Sequence, residues 1–66
     1  MSTTDIWRTA DLLLRAEGRE ADAVAHSLAL AWTREGHPER ACAWLNVARA
    51  ITEFQRATLE HGESVN

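Results

Sequence analysis

The residues best equipped for chemistry in this sequence are a histidine with a carboxylate one helical turn before it, and a single cysteine. Asp22 precedes His26 by four residues, a spacing that places both side chains on one face of a helix. A carboxylate in this position can orient an imidazole that binds a metal or moves a proton. A metal needs further ligands, and the sequence contains no HxxxH or CxxC spacing. We interpret the pair as exposed and polar, and we predict no metal and no cofactor.

The single cysteine, Cys42, is the second candidate for chemistry. It falls near the start of a predicted helix, where the positive end of the helix stabilises a thiolate. Nothing in the sequence places a base beside it. Ser27 follows His26 directly, but adjacent residues of a helix point about 100° apart. The sequence also lacks a Gly-x-Ser-x-Gly turn and a glycine-rich phosphate loop. We therefore predict no catalytic residues and a protein that is not an enzyme.

The charge balance bears on nucleic-acid binding. The chain has a net charge of -3, with ten acidic residues against seven arginines, and such a surface suits a phosphate backbone poorly. A helix-turn-helix nevertheless remains an alternative, because the second and third predicted helices are joined by a short glycine turn. The reading side chains would then be Arg40, Asn46, Arg49 and Arg56.

Two glycine breaks organise the chain. Gly18 and Gly36 each follow a charged run, and Pro38 stands two residues after the second glycine. A glycine in the left-handed conformation closes a helix, and a proline is well tolerated in the first turn of the next. The apolar periodicity predicts helices at about 5–17, 19–35 and 38–60, with a frayed tail at 62–66. The expected fold is all-α, a compact three-helix bundle forming one domain over residues 1–66.

Each predicted helix carries one tryptophan on its apolar face, so we expect the three tryptophans to supply most of the core. The residues are Trp7, Trp32 and Trp44. The remaining core positions are mainly alanine, leucine, valine and isoleucine at helical spacing.

The short length of the chain favours association with a second protein chain. A chain of 66 residues buries only about 60% of its unfolded surface, and small domains often depend on disulfides, metals or partner chains. We therefore predict a homo-oligomer, most simply a two-fold dimer, or a complex with another protein. Candidate interface residues lie off the core faces of the first two helices or in a second apolar row of the third: Leu12, Leu30, Ala43, Val47, Ala50, Phe54 and Ala57. A monomer could instead absorb the second row by packing one row of the third helix on each of the other helices.

No apolar run approaches the ~20 residues that cross a bilayer, and the first residues lack a basic, apolar signal region. We expect a cytoplasmic protein without membrane contact.

The pattern of residues resembles a group of short proteins, mainly from alphaproteobacteria, described as domains of unknown function. The resemblance covers roughly residues 5–54. It rests on the residues Asp5, Ile6, Trp7, Ala10, Gly18, Gly36, Trp44, Ala48 and Ile51 and on the alanine-rich second helix. It implies a small helical bacterial protein and carries no catalytic residues over. His37 and Pro38 depart from the acidic residue that similar proteins often have after the second glycine.

Taken together, these features predict a small non-enzymatic protein–protein interaction module that associates with its own copy. A helix-turn-helix DNA-binding regulator is the first alternative. A small metal-binding protein or enzyme is the second.

Overall fold

The chain is helical along nearly its whole length in a computed structural model, which describes the backbone of residues 2–65 and the side chains of residues 2–57. Helix α1 covers Thr3–Glu17, α2 covers Ala21–Arg34 and α3 covers Pro38–Val65. One turn of 3-10 helix, Gly18–Glu20, connects α1 to α2. No β-strand occurs within residues 2–65. The predicted all-α fold class is confirmed.

Helix α1 begins and ends with side-chain and glycine caps. Ser2 precedes its first residue, and the Ser2 hydroxyl accepts a hydrogen bond from the backbone N–H of Asp5 at 3.2 Å. This bond satisfies one of the backbone donors that the first turn leaves unpaired. At the other end Gly18 has φ +58 and ψ -130, and its N–H donates to the carbonyl of Leu14. The predicted glycine break is confirmed, and it leads directly into the 3-10 turn.

The connection between α2 and α3 is a compact glycine-closed turn. Gly36 has φ +82, and the N–H of His37 donates to the carbonyl of Trp32 at 2.9 Å. This is the Schellman arrangement, which pairs carbonyls at the end of a helix. Pro38 then begins α3, where its missing N–H has no helical partner to lose. So short a connection makes α2 and α3 antiparallel neighbours.

Helix α3 is longer than the sequence predicted. We expected an end at Glu60 and a frayed tail from Gly62, but the helix continues through Gly62 to Val65. The predicted end is therefore wrong, and Asn66 lies outside the described residues. A single glycine within a helix costs only about 1 kcal/mol relative to alanine, which does not oblige the helix to stop. At 28 residues, α3 is about 42 Å long and sets the 47 Å long dimension of the molecule.

Helix α3 is the element on which the other helices pack. Most contacts between helices join α2 to α3, and a smaller share joins α1 to α3. Trp7 of α1 lies against Phe54 of α3, and Thr3 lines a groove with Asn46. Helix α1 therefore turns back at Gly18 towards the middle of α3 and does not prolong the line of α2.

The buried core is built from small aliphatic side chains. Its members are Ala10, Ala21, Ala25, Ala29, Ala41, Val47, Ala48, Ala50 and Ile51. Ile51 and Val47 are the largest fully buried side chains. On α2 the buried alanines are Ala21, Ala25 and Ala29, whereas Ala31 is exposed.

The expectation that tryptophans fill the core is wrong. Trp7 is 41% exposed, and Trp32 is partly exposed outside the main cluster. Trp44 packs against the buried cluster while remaining only partly buried. Alanines on facing helices bring the helix axes close together, and the space between them then has no room for indole rings.

Candidate functional site

Most residues of the second apolar row of α3 (Ala43, Val47, Ala50, Phe54 and Ala57) are at least partly buried within the chain. Val47 is fully buried and Ala50 nearly so, which removes both from the predicted interface. Ala43 is half-buried, and Ala57 is exposed. Helix α1 lies beside this row, since Trp7 contacts Phe54 and lines a groove with Ala50. The structure therefore agrees better with the arrangement in which each row of α3 packs on one neighbouring helix than with one in which the second row is left exposed for a partner.

Phe54, the largest residue of that row, is also engaged within the chain. Its ring meets the ring of Trp7 edge to face, with 5.1 Å between ring centroids and an interplanar angle of 90°. Such T-shaped pairs place the positive edge of one ring on the negative face of the other. Phe54 is partly buried and packs against the core, so it is a poor candidate for a free docking residue.

The two leucines that the sequence assigned to the surface do project into solvent. Leu12 of α1 is 60% exposed, and Leu30 of α2 is 52% exposed. At 100° per residue, Leu12 lies on the side of α1 opposite the buried Ala10, and Leu30 lies on the side of α2 opposite the buried Ala21 and Ala25. Of the seven predicted interface residues, these two and Ala57 are exposed to a partner.

A third leucine is exposed that sequence reasoning missed. Leu45 of α3 is 49% exposed. It follows Trp44, and the helical spacing of 100° per residue rotates it away from the face that packs on α2. A helical-wheel projection of α3 places Leu45 off the packed face. Its apolar neighbours in the sequence make it look like a core residue when the projection is not drawn.

A groove of about 300 Å³ opens between the start of α1 and the middle of α3. Its lining residues are Thr3, Ile6, Trp7, Asn46, Arg49, Ala50 and Glu53. The volume is at the lower limit of small-molecule sites. The floor is apolar, whereas the rim carries one cation and one anion, so the groove has no strong preference for either sign of charge.

An aromatic and cationic cluster lies at the turn between α2 and α3. The guanidinium of Arg40 sits 4.7 Å from the centroid of the Trp32 ring. The His37 ring meets the same indole edge to face at 5.4 Å between centroids. A cation over an indole face is an attractive contact that holds both side chains in place. We interpret these contacts as stabilising the turn, because they join the end of α2 to the start of α3.

The Asp22–His26 pair forms as its spacing predicts. Nδ1 of His26 lies 3.2 Å from Oδ1 of Asp22 and 3.0 Å from the backbone carbonyl oxygen of Asp22. Both oxygen atoms belong to one residue, and the two side chains are 57% and 42% exposed. The histidine is thus oriented by its own helix. Within the described residues no group of three or more histidine, cysteine, aspartate or glutamate side chains could hold a metal ion.

The single cysteine, Cys42, is exposed near the start of α3.

The polar side of α3 gives the helix-turn-helix alternative little support. Arg40 is engaged with Trp32, and Arg56 lies 3.8 Å from Glu53. Asn46 and Arg49 share their groove with the same Glu53. The candidate reading side chains therefore do not form one uninterrupted basic face.

Comparison of the chain with family models, with curated proteins and with solved structures finds no match. Within the described residues, no helix combines the length and the apolar character needed to cross a bilayer.

Proposed function

We propose that this chain is a small non-enzymatic protein–protein interaction module that binds first to a second copy of itself. In this proposal it acts as a compact three-helix bundle in the cytoplasm and belongs with the short alphaproteobacterial proteins that it resembles. The observation that carries the proposal is the pair of leucines on the outer faces of α1 and α2, Leu12 and Leu30, which are 60% and 52% exposed. Exposed apolar side chains that form a contiguous patch mark contact surfaces, and this proposal assigns Leu12 and Leu30 to such surfaces.

Sedimentation equilibrium at micromolar concentration tests the proposal directly. We expect a dimer for the unmodified protein and a monomer for the Leu12→Glu/Leu30→Glu double variant. Leu45→Glu is the matched control, because Leu45 is 49% exposed on a different helix. We expect it to remain a dimer. A monomer mass for the unmodified protein at all concentrations would remove the proposal of self-association.

The alternative functions have their own measurements. Fluorescence polarisation with random duplex DNA at low salt should show no binding, and a salt-dependent rise would favour the DNA-binding regulator. Metal analysis of the purified protein addresses the metal-binding alternative. Stoichiometric zinc that survives chelation would favour that alternative.

A further inference from the structure

The outer face of α2 is the longest uncharged exposed surface on the two helices that precede the Gly36 turn. It lies opposite the buried residues Ala21, Ala25 and Ala29. Its members are Ala23, Ser27, Leu30 and Ala31, all exposed. At 100° per residue these positions fall within one side of the helix over about three turns. Leu30 is the large side chain among them, at 52% exposure.

Charged residues lie at both ends of this face, and they have no ion-pair partner among the residues whose side chains the structure describes. Arg19 and Glu20 lie in the 3-10 turn immediately before α2. Arg34 is the last residue of α2, and Glu35 follows it. All of them are exposed. No ion pair or side-chain hydrogen bond joins any of the four to another described residue. The order of signs, positive then negative at both ends, is the observation that selects an occupant.

We propose that a second copy of this chain covers the outer face of α2, with the two α2 helices antiparallel about a two-fold axis at Ser27. This proposal rests on the proposed self-association and assigns it to the face of α2 that carries Leu30; it does not require Leu12 of α1. In this register Ala23 faces Ala31 of the second copy. Glu20 faces Arg34 of the second copy, and Arg19 faces Glu35. Each pair occurs twice because the interface is isologous.

The charge pattern distinguishes this arrangement from the parallel one. Parallel helices would set Glu20 against Glu20 and Arg34 against Arg34, and like charges across a contact are repulsive. The antiparallel pair also places the positive end of each helix dipole beside the negative end of the other. Small side chains at Ala23, Ser27 and Ala31 let the two helix axes approach closely. Each copy then contributes its Leu30 to the contact between the two α2 helices.

Charge exchange provides the test. The variants are Glu20→Arg, Arg34→Glu and the double variant, and circular dichroism first shows that each is folded. Sedimentation equilibrium and isothermal dilution calorimetry then give the dissociation constant of each dimer. We expect each single change to weaken the dimer about fivefold to tenfold at low salt, since it sets two like-charged pairs against each other. The double variant should return to within about twofold of the unmodified protein, because every pair is then complementary again.

Mixing the two single variants sharpens the test. A copy with Glu20→Arg and a copy with Arg34→Glu are complementary at both ends, so the mixture should form a heterodimer tighter than either variant alone. Ser27→Cys in a Cys42→Ser background should also crosslink rapidly under mild oxidation, because the two-fold axis brings identical residues within disulfide reach. Leu45→Cys in the same background is the control and should crosslink slowly.

The outcomes separate this proposal from the broader one. A dimer that ignores both single charge changes and does not crosslink through Ser27→Cys would overturn the α2 interface while leaving self-association intact. Loss of the dimer in the single variants without recovery in the double variant or the mixture would also overturn it. A monomeric unmodified protein would overturn both proposals together.

Discussion

The contact of α3 with α2 and its contact with α1 are built differently. On the α2 side, Ala21, Ala25 and Ala29 are buried against α3, and a tight glycine-closed turn ties the two helices together. On the α1 side, Trp7 stays 41% exposed and an open groove of about 300 Å³ remains. The small side chains produce a close contact that tolerates no added volume. The large ones produce a looser contact with space to spare.

This difference locates the stability of the molecule. The α2–α3 contact and the centre of α3 hold most of the buried cluster, whereas α1 contributes one fully buried side chain, Ala10. We expect substitutions near the α2–α3 contact to be costly and equivalent ones near α1 to be mild. Four predictions test this contrast, in order of decreasing effect.

The largest effect is expected for Ile51→Ala. Ile51 is fully buried in the centre of the cluster, and removing its side chain loses burial and leaves a cavity. The cost should be about 2–5 kcal/mol, a large part of the stability of a domain this small. Urea unfolding followed by circular dichroism measures it. Thr52→Ala, at the exposed neighbouring position, should be within about 0.5 kcal/mol of the unmodified protein. Equal effects at both positions would contradict this account of the core.

Adding volume should separate the two contacts most clearly. Ala25→Leu forces extra atoms into the buried α2–α3 contact and should cost about 1–3 kcal/mol. Ala50→Leu adds the same atoms at a buried position that borders the groove. The groove leaves space on one side, so the cost should be smaller than that of Ala25→Leu. The comparison needs only two thermal or urea melts. A larger cost for Ala50→Leu would reverse the assignment of tight and loose contacts.

The link between α1 and α2 depends on the backbone conformation of Gly18. Its φ of +58 with ψ -130 is a conformation essentially restricted to glycine, although a Cβ would meet no neighbouring atom. Gly18→Ala should therefore cost about 1–3 kcal/mol through backbone strain alone. Ala16→Gly, in the last turn of α1, is a control for a simple change in helix propensity and should cost no more than about 1 kcal/mol. A neutral Gly18→Ala would indicate that the turn adopts another conformation in solution.

The smallest expected effect is the coupling between Trp7 and Phe54. A double-mutant cycle with Trp7→Leu and Phe54→Leu should give about 0.5–1.5 kcal/mol of interaction free energy. Leucine keeps an apolar side chain at both positions, so the cycle isolates the edge-to-face contact of the rings. Additive single effects would mean that α1 does not rely on this pair to hold its position on α3.

Local features of the fold were readable from the sequence because they depend on neighbours within a few residues. The glycine closures at Gly18 and Gly36, the start of α3 at Pro38 and the Asp22–His26 pair all belong to this class. The Asp11–Arg15 ion pair, at 3.1 Å, is a further case. Helical spacing likewise placed Leu12 and Leu30 on outer faces. Each of these follows from backbone geometry and side-chain spacing alone.

Tertiary packing decided the rest. Whether the second apolar row of α3 stayed free or was covered depended on the path of α1 after the Gly18 turn, and Val47 and Ala50 became core residues as a result. The fate of the tryptophans depended on the distance between helices, which the alanines set and no single helix reveals. Helical periodicity states which side chains share a face. It does not state how close the neighbouring helix will come, because that distance depends on the sizes of side chains contributed by both helices.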